Sequence, residues 1–285
     1  NSSLKRTGGI LAERIDWSIN STGPEAYERY IVQAWMGEWA RTLVETGDIR
    51  QGERVLDVAC GTGVVARRVA NLIGPNGRVA GLDGDEGMLG VARQLADREG
   101  MHEIRWHHCD VSHMPFKPSE YDVLLCQQGL QFFGDRQAAL REMCRVTAPG
   151  GRLAISVWRS LDHLPFLAVL GTIIGEYLGT DSMKPLYATG SLHNREELRD
   201  LISKAGFDDT HIRLEVKIAR YPSFQEFLQG FLSIFPIASE ISAMHDEDKS
   251  EMLQRITTAM DDYMDDDGMA VPMESHIITA TKGVG

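Results

Sequence analysis

The run Val55-Leu56-Asp57-Val58-Ala59-Cys60-Gly61-Thr62-Gly63-Val64-Val65-Ala66 constrains this chain more than any other segment. A short β-branched, apolar stretch passes into a turn of small residues and then into an amphipathic stretch, the pattern of a buried strand feeding a helix. Glycine in such a turn permits positive φ and lets a ligand approach the backbone at the helix N-terminus, where unpaired N–H groups gather.

The alternation continues downstream. Strands are expected at 54–58, 78–82, 104–109, 121–126 and 152–158, and helices at 64–72, 86–98 and 135–147. Gly74-Pro75-Asn76-Gly77, Gly100 and Pro149-Gly150-Gly151 serve as breaks. Strands separated by helices of this length imply βαβ crossovers, hence a parallel sheet covered on both faces. Beyond 158 the alternation breaks. A helix is expected at 166–178, followed by a Gly- and Pro-punctuated loop. A helix at 196–205 starts behind Asn194, with Glu197 completing a capping-box-like pattern. A sixth strand is expected at 210–219. Residues 220–272 read as helical, because Phe224, Phe227, Leu228, Phe231 and Leu232 recur at helical spacing, and a last strand follows at 275–281. The expected fold is α/β, a doubly wound, mostly parallel seven-stranded sheet with helical insertions. Its parts are 1–50 (an N-terminal helical lid), 51–158 (the core with the glycine turn), 159–193 (a helical insertion), 194–219 (core helix and sixth strand), 220–273 (a helical cap insertion) and 274–285 (the last strand).

Composition narrows the function classes. The chain has 285 residues, 43% apolar and 25% charged, an ordinary folded composition. Its longest apolar stretch, 164–178, is interrupted by Pro165 and Glu176 and is shorter than the roughly 18–20 residues that span a bilayer. The first twenty residues hold no uninterrupted apolar segment of a secretory leader. Cys60, Cys109, Cys126 and Cys144 form neither a disulfide framework nor a zinc pattern. A cytoplasmic protein without a metal site is expected. The net charge is −12, and residues 240–274 hold eleven acids against Lys249 and Arg255; this run reads as a solvated helix face and turn. With no basic stripe to neutralise phosphates, the expected substrate is a small molecule and not a nucleic acid.

Gly61-x-Gly63-x-x-Ala66 alone also fits a nicotinamide-dinucleotide fingerprint, and so does Asp83, which ends the second strand where a carboxylate can accept both hydroxyls of a ribose. Asp57 discriminates. It lies just ahead of the turn, where the nicotinamide pattern places another glycine, and a carboxylate there suits a cationic ligand better than a diphosphate. Asp110, closing the third strand beside Val111, can accept from an adenine amino group next to an apolar wall. Together these residues describe a site for adenosine with a positively charged amino-acid tail.

The run 55–63, with Gly81-Leu82-Asp83, Met88-Leu89, residues 110–116, Tyr121-Asp122-Val123 and Ala139-Leu140-Arg141-Glu142 through Pro149-Gly150-Gly151, resembles the class I S-adenosylmethionine-dependent methyltransferases. It is most similar to their quinone-biosynthesis C-methyltransferase-like group of small-molecule enzymes. The resemblance implies a Rossmann-like methyltransferase fold whose last strand is antiparallel and inserted beside strand six, with S-adenosylmethionine as cofactor. It implies that Asp57, Ala59, Gly61 and Gly63 line the methionine moiety and that Asp83 holds the ribose. Gly84 and Met88 would flank adenine, Asp110 and Val111 would contact it, and Gln127 or Gln128 would reach the cofactor's amino acid or the acceptor. Residues 159–193 and 220–272 exceed a minimal core and carry no motif of the group, which leaves the acceptor open.

Transfer from a sulfonium is an in-line displacement with a good leaving group, so alignment supplies most of the catalysis and a base is optional. His113, His163, Tyr187 and His193 fall on expected loops at strand C-terminal ends, and His163, beside Asp162, is the favoured base. His107 and His108 lie within the third strand and read as packing residues. In the N-terminal segment Tyr27, Tyr30, Ile31, Ala34, Trp35 and Trp39 share related helix faces. They read either as helices packed across the sheet or as a lid, with Tyr27 and Tyr30 touching cofactor. Phe166, Tyr177, Phe224, Phe227, Phe231 and Phe235 read as core packing, as a homodimer face, or as a cap over a partly apolar acceptor. Two other classes stay open: a cofactor-binding protein without methyl transfer, including one using the sulfonium to steer a cyclisation, and an NAD(P)-dependent oxidoreductase.

Overall fold

A computed structural model describes residues 23–235 and 237–284. The first part of the expected lid, residues 1–22, lies outside them. The chain forms two compact units: a sheet unit made of Trp35–Ser160, Ala188–Lys217 and Glu274–Gly285, and a helical unit made of Asn1–Ala34, Leu161–Tyr187 and Ile218–Met273. The segment expected as one piece over 1–50 thus divides at residue 34.

The sheet is built from β1 (Arg54–Val58), β2 (Arg78–Asp83), β3 (Arg105–His108), β4 (Tyr121–Gln127), β5 (Thr147–Trp158), β6 (Phe207–Tyr221), β7 (Met264–Asp265) and β8 (Gly268–Lys282). Its order is β3-β2-β1-β4-β5-β8-β6, with the two-residue β7 paired to β8 off this path. β1 to β5 are mutually parallel where they pair, and β8 runs antiparallel to β5, from Arg152↔Thr281 to Trp158↔Ser275. The expected mostly parallel, doubly wound sheet with an antiparallel last strand is the fold observed.

Alternation along β1 dictates the two core layers. Val55 faces α2 (Gly37–Thr46) and α3 (Val64–Ala70), packing with Leu43, Val65 and Val69. Leu56 and Val58 face the opposite layer, with Leu140 and Met143 of α5 (Arg136–Val146) and Leu198 and Ile202 of α8 (Arg195–Lys204). Each fully buried side chain of this size stabilises by about 1.5–3 kcal/mol relative to exposure. The helix starts are set by capping carboxylates and amides. Asp85 accepts from Gly87 and Met88 N–H ahead of α4 (Glu86–Arg98), Asp135 accepts from Ala138 N–H, and Asn194 accepts from Glu196 and Glu197 N–H.

Two expectations change. β5 begins at Thr147, not 152: the register passes from Tyr121↔Thr147 to Val123↔Arg152, so Pro149-Gly150-Gly151 forms a bulge inside a strand, with Gly150 at φ +73°. The last strand begins at Gly268, well ahead of 275, so 220–272 is not helical throughout. The acidic sequence Asp265-Asp266-Asp267-Gly268 conceals a hairpin turn in which Met264 pairs with Met269, and Met269, Val271 and Met273 alternate into the core. Gly268 is required there: its φ is +113°, and a Cβ would stand 2.3 Å from the Tyr221 carbonyl oxygen.

The helical unit holds α1 (Gly23–Tyr27), most of a π-helical stretch over Glu28–Met36, α6 (Pro165–Leu178), α9 (Phe224–Ile234), α10 (Ala238–Ala243) and α11 (Asp246–Met260). It also contains most of α7 (Lys184–Thr189), which occupies the expected loop. The ring of Phe227 meets those of Phe166 and Tyr221 edge-on at 5.8 and 5.4 Å. Asp246, Glu247 and Asp248 fill the first turn of α11, where negative charge complements the helix dipole. Among the described residues no helix is long and apolar enough to cross a membrane.

Candidate functional site

The glycine turn sits at the carboxyl end of β1, between β2 and β4, where ligands of open α/β sheets bind. Three consecutive features bend it. Ala59 adopts φ +55°, Gly61 +54° and Gly63 +82°, and Ala59 is a non-glycine residue held in a left-handed conformation that costs of order 1 kcal/mol. A Cβ on Gly63 would lie 2.4 Å from the Trp106 ring, so this glycine is needed for packing as well as for the turn. Gly129, after β4, is held open by the same crowding: a Cβ there would approach the Ala59 Cβ to 2.7 Å.

Two carboxylates frame the turn. Asp57 is 1% exposed; its Oδ2 accepts from Ala66 N–H at 3.0 Å, bracing α3 on the strand, and its Oδ1 has no hydrogen-bond partner. Burial, reinforced by the negative charge of Asp83, holds its pKa well above the usual carboxylate value. Asp83 accepts from Gly61 N–H at 2.7 Å with Oδ2 and from Asp85 N–H at 2.9 Å with Oδ1. Burial raises its pKa too, against these backbone donors. A carboxylate offers about four lone-pair positions, so each Asp83 oxygen keeps capacity for a further donor. A buried acid and a partly buried one, with no basic partner among the described residues, favour a ligand that brings positive charge and hydroxyl donors, and an adenosine with an ammonium-bearing tail meets that requirement. A diphosphate does not.

The remaining expected cofactor residues of the sheet unit line the same edge. Gly84 has no atom within 4 Å of where a Cβ would stand, which leaves open space beside it. Met88, in the first turn of α4, donates its backbone N–H to Asp85. Asp110 caps the short 3₁₀ turn Val111–His113 by accepting from Ser112 N–H at 2.7 Å, which holds its pKa low; Val111 packs against the core. Gln127 is buried, donates to the Met36 carbonyl at 2.9 Å, and leaves its Oε1 unpartnered. Gln128 adopts φ +54° and donates to Ser275 Oγ at 3.0 Å.

Tyr27, Tyr30, His163 and Tyr187 belong to the helical unit. His163 ends the 3₁₀ turn Leu161–His163 ahead of α6. His193 donates from Nδ1 to the Gly190 carbonyl at 2.8 Å, and its own carbonyl accepts from His276 Nε2 at 2.9 Å. His107 lies edge-on to Phe116 at 4.8 Å, and His108 is bonded to the Gly84 carbonyl. His107 is partly buried in this contact, whereas His108 is exposed, so the expected packing position holds for His107 alone. No group of His, Cys, Asp and Glu among the described residues could hold a metal.

Sequence reasoning named Trp35 and Trp39 only as helix-face residues and did not single out Gln131, Ser275 or Trp158, which lie beside this edge. Gln131 donates to Gln128 Oε1 at 3.4 Å, and Ser275 donates to the Val157 carbonyl at 2.8 Å. Trp158, at the end of β5, packs on Trp35 and Trp39 with ring centroids 5.5 and 5.3 Å apart. These residues are far apart in the chain and meet only where β8, β5 and the helical stretch from Glu28 through α2 come together in the fold. The one local signal was Trp158 itself, an aromatic residue ending a strand at its carboxyl side.

Comparison with known proteins agrees with this geometry. A family model described as a methyltransferase domain matches residues 49–182. The ubiquinone/menaquinone biosynthesis C-methyltransferase UbiE of Pseudomonas savastanoi pv. phaseolicola is 32% identical over 183 residues, covering 60% of this chain and 71% of that protein. In fold, the chain is similar to a Bacillus halodurans protein solved as a candidate methyltransferase (TM-score 0.57, 19% identity, 86% of this chain and 98% of that one). It is also similar to the Haemonchus contortus phosphoethanolamine N-methyltransferase 2 in complex with S-adenosylmethionine (TM-score 0.58, 19% identity, 92% of this chain and 57% of that one). These matches do not favour an oxidoreductase or a binding protein without transfer. The chain belongs to the class I S-adenosylmethionine-dependent methyltransferases, in the quinone-biosynthesis C-methyltransferase-like group, and transfers a methyl group from S-adenosylmethionine to a small-molecule acceptor.

Proposed function

We propose that the acceptor is a small, partly apolar molecule, methylated at the carboxyl edge of the sheet beside the Asp57–Asp83 pair. The observation that carries this placement is the unpartnered, fully buried Oδ1 of Asp57 next to the partly buried carboxylate of Asp83. When bound, S-adenosylmethionine supplies an electrophilic methyl group on a good leaving group. In this reading Asp83 accepts the ribose hydroxyls while keeping its bonds to Gly61 and Asp85. Asp57, Ala59, Gly61 and Gly63 line the methionine moiety, with Asp57 offsetting its positive charge. Gly84 and Met88 flank adenine, and Asp110 and Val111 meet its edge. Gln127 or Gln128 orients the amino acid or the acceptor, and Tyr27 and Tyr30 contribute from the N-terminal segment.

The N-terminal segment and the two helical insertions act as a cover that excludes water during transfer; the Phe-rich composition of the helical unit supports this. His163 takes the acceptor's proton where the accepting atom is not already a nucleophile. The relatives are named for quinone biosynthesis, which supports a carbon acceptor on a quinone-like ring. The protein acts in the cytoplasm, alone or as a homodimer, on a free metabolite and not on nucleic acid; its four free cysteines suit that compartment.

The test is incubation with S-adenosylmethionine and a panel of phenolic, quinol-like, amine and thiol acceptors, following S-adenosylhomocysteine release and a product heavier by one methylene. Turnover of an apolar ring acceptor, reduced more than tenfold in His163→Ala, is expected. Turnover confined to polar amines contradicts the acceptor class, and a smaller loss in His163→Ala removes that residue from the base role.

A further inference from the structure

A second concavity, of about 440 Å³, opens in the sheet unit between the C-terminus of α2, the start of α8, and the strands β6 and β8. In the order β1-β4-β5-β8-β6 its outer wall is four strands from the glycine turn, roughly 19 Å at about 4.8 Å per strand. It is therefore separate from the cofactor site.

Its lining is unusual for a chain of net charge −12. Arg195, Arg199 and Arg213 converge on it with His211, and no carboxylate lines it. Thr46, Thr210 and Thr279 add three hydroxyls. Two of the arginines are fixed by neighbours that leave donors over. Arg195 donates to the Ile212 carbonyl at 2.6 Å, and Arg213 donates to Thr46 Oγ1 at 3.2 Å while pairing with Glu215. Each guanidinium has five N–H donors, and these bonds use only some of them. The side chains of Arg199 and His211 have no hydrogen-bond or ion-pair partner among the described residues. With Arg213 paired to Glu215, the guanidinium groups of Arg195 and Arg199 remain on this concave surface with no carboxylate in its lining, and two like charges held there repel one another unless an anion sits between them.

We propose that this concavity binds a small phosphate-bearing anion. A single carboxylate would neutralise one guanidinium and use few of the donors. A phosphate or diphosphate brings two or more negative charges with many acceptor positions and matches forked guanidinium donors and hydroxyls together. The volume lies at the lower end of the range for small-molecule sites, room for a phosphorylated metabolite. Farther along β6 the next basic residues, Lys217 and Arg220, are paired with Glu215 and Asp265, so the charge available to an anion is confined to the concavity and suits a small ligand better than an extended polyanion. The inference is independent of the methyl-transfer chemistry.

The test is calorimetric titration of the full chain with inorganic pyrophosphate, orthophosphate and citrate at low salt, in the wild type, Arg199→Glu and Arg213→Gln. Saturable one-to-one binding of pyrophosphate is expected, weakened about tenfold or more in Arg199→Glu, with thermal melting and S-adenosylhomocysteine affinity unchanged in that variant. Arg213→Gln gives a second reading should Arg199→Glu fail to fold. Three results would overturn the proposal: no saturable pyrophosphate binding, affinity unaltered in both folded variants, or citrate binding in preference to both phosphates.

Discussion

Asp57 concentrates the electrostatic tension of this protein in one side chain: it is buried, shares its surroundings with Asp83, and has one oxygen without a donor. Burial raises its pKa, so the folded protein keeps this proton to higher pH than the unfolded chain does. Its contribution to stability is therefore favourable at low pH and is lost as pH rises from about 4 through the folded pKa. Asp57→Asn keeps an acceptor for Ala66 N–H and removes the charge. Urea unfolding across that range should show the variant gaining on the wild type as pH rises; parallel curves would contradict the assignment. Gly63 makes a second test. Alanine there meets Trp106 at 2.4 Å with φ at +82°, and overpacking together with left-handed strain predicts a loss of about 2–4 kcal/mol. A loss below about 1 kcal/mol would mean that the turn relaxes easily.

At the scale of elements, the parts of the fold legible in the sequence are those whose signal is local. β1, β2 and β4 are apolar runs bounded by turns, and α4, α5 and α8 start at Asp85, Asp135 and Asn194, side chains that satisfy the first N–H groups. Asn194→Ala should cost about 1 kcal/mol in equilibrium unfolding; no measurable change would show that α8 is held by packing alone. The start of β8 was illegible because three consecutive aspartates resemble a solvated helix end, whereas the hairpin is set by Gly268 against the backbone of Tyr221 and Pro222. The early start of β5 was hidden because a bulge carries its glycines. The candidate site divides in the same way. Asp57, the glycine turn and Asp83 lie within one βαβ unit and could be read from spacing, but Gln131, Ser275 and the Trp35, Trp39 and Trp158 cluster come together only in the folded sheet.

Over the whole molecule, the sheet unit supplies the edge where we propose the cofactor binds, and the helical unit supplies an aromatic-rich body for which we propose the covering role. Saturating S-adenosylhomocysteine is expected to slow limited proteolysis within residues 1–30; an unchanged cleavage rate there argues against a cover. The sheet is assembled from consecutive βαβ units, so its ligand edge gathers the carboxyl ends of β1, β2 and β4, and every cofactor assignment made for the sheet unit depends on that edge. The most direct measurement is calorimetric titration of the wild type and Asp83→Ala with S-adenosylhomocysteine and, in parallel, with NADH. The account predicts that the wild type binds S-adenosylhomocysteine and not NADH, and that Asp83→Ala loses at least about tenfold in affinity, as expected on removing charge-assisted hydrogen bonds. NADH binding, or S-adenosylhomocysteine binding equally tight in folded Asp83→Ala, would contradict it.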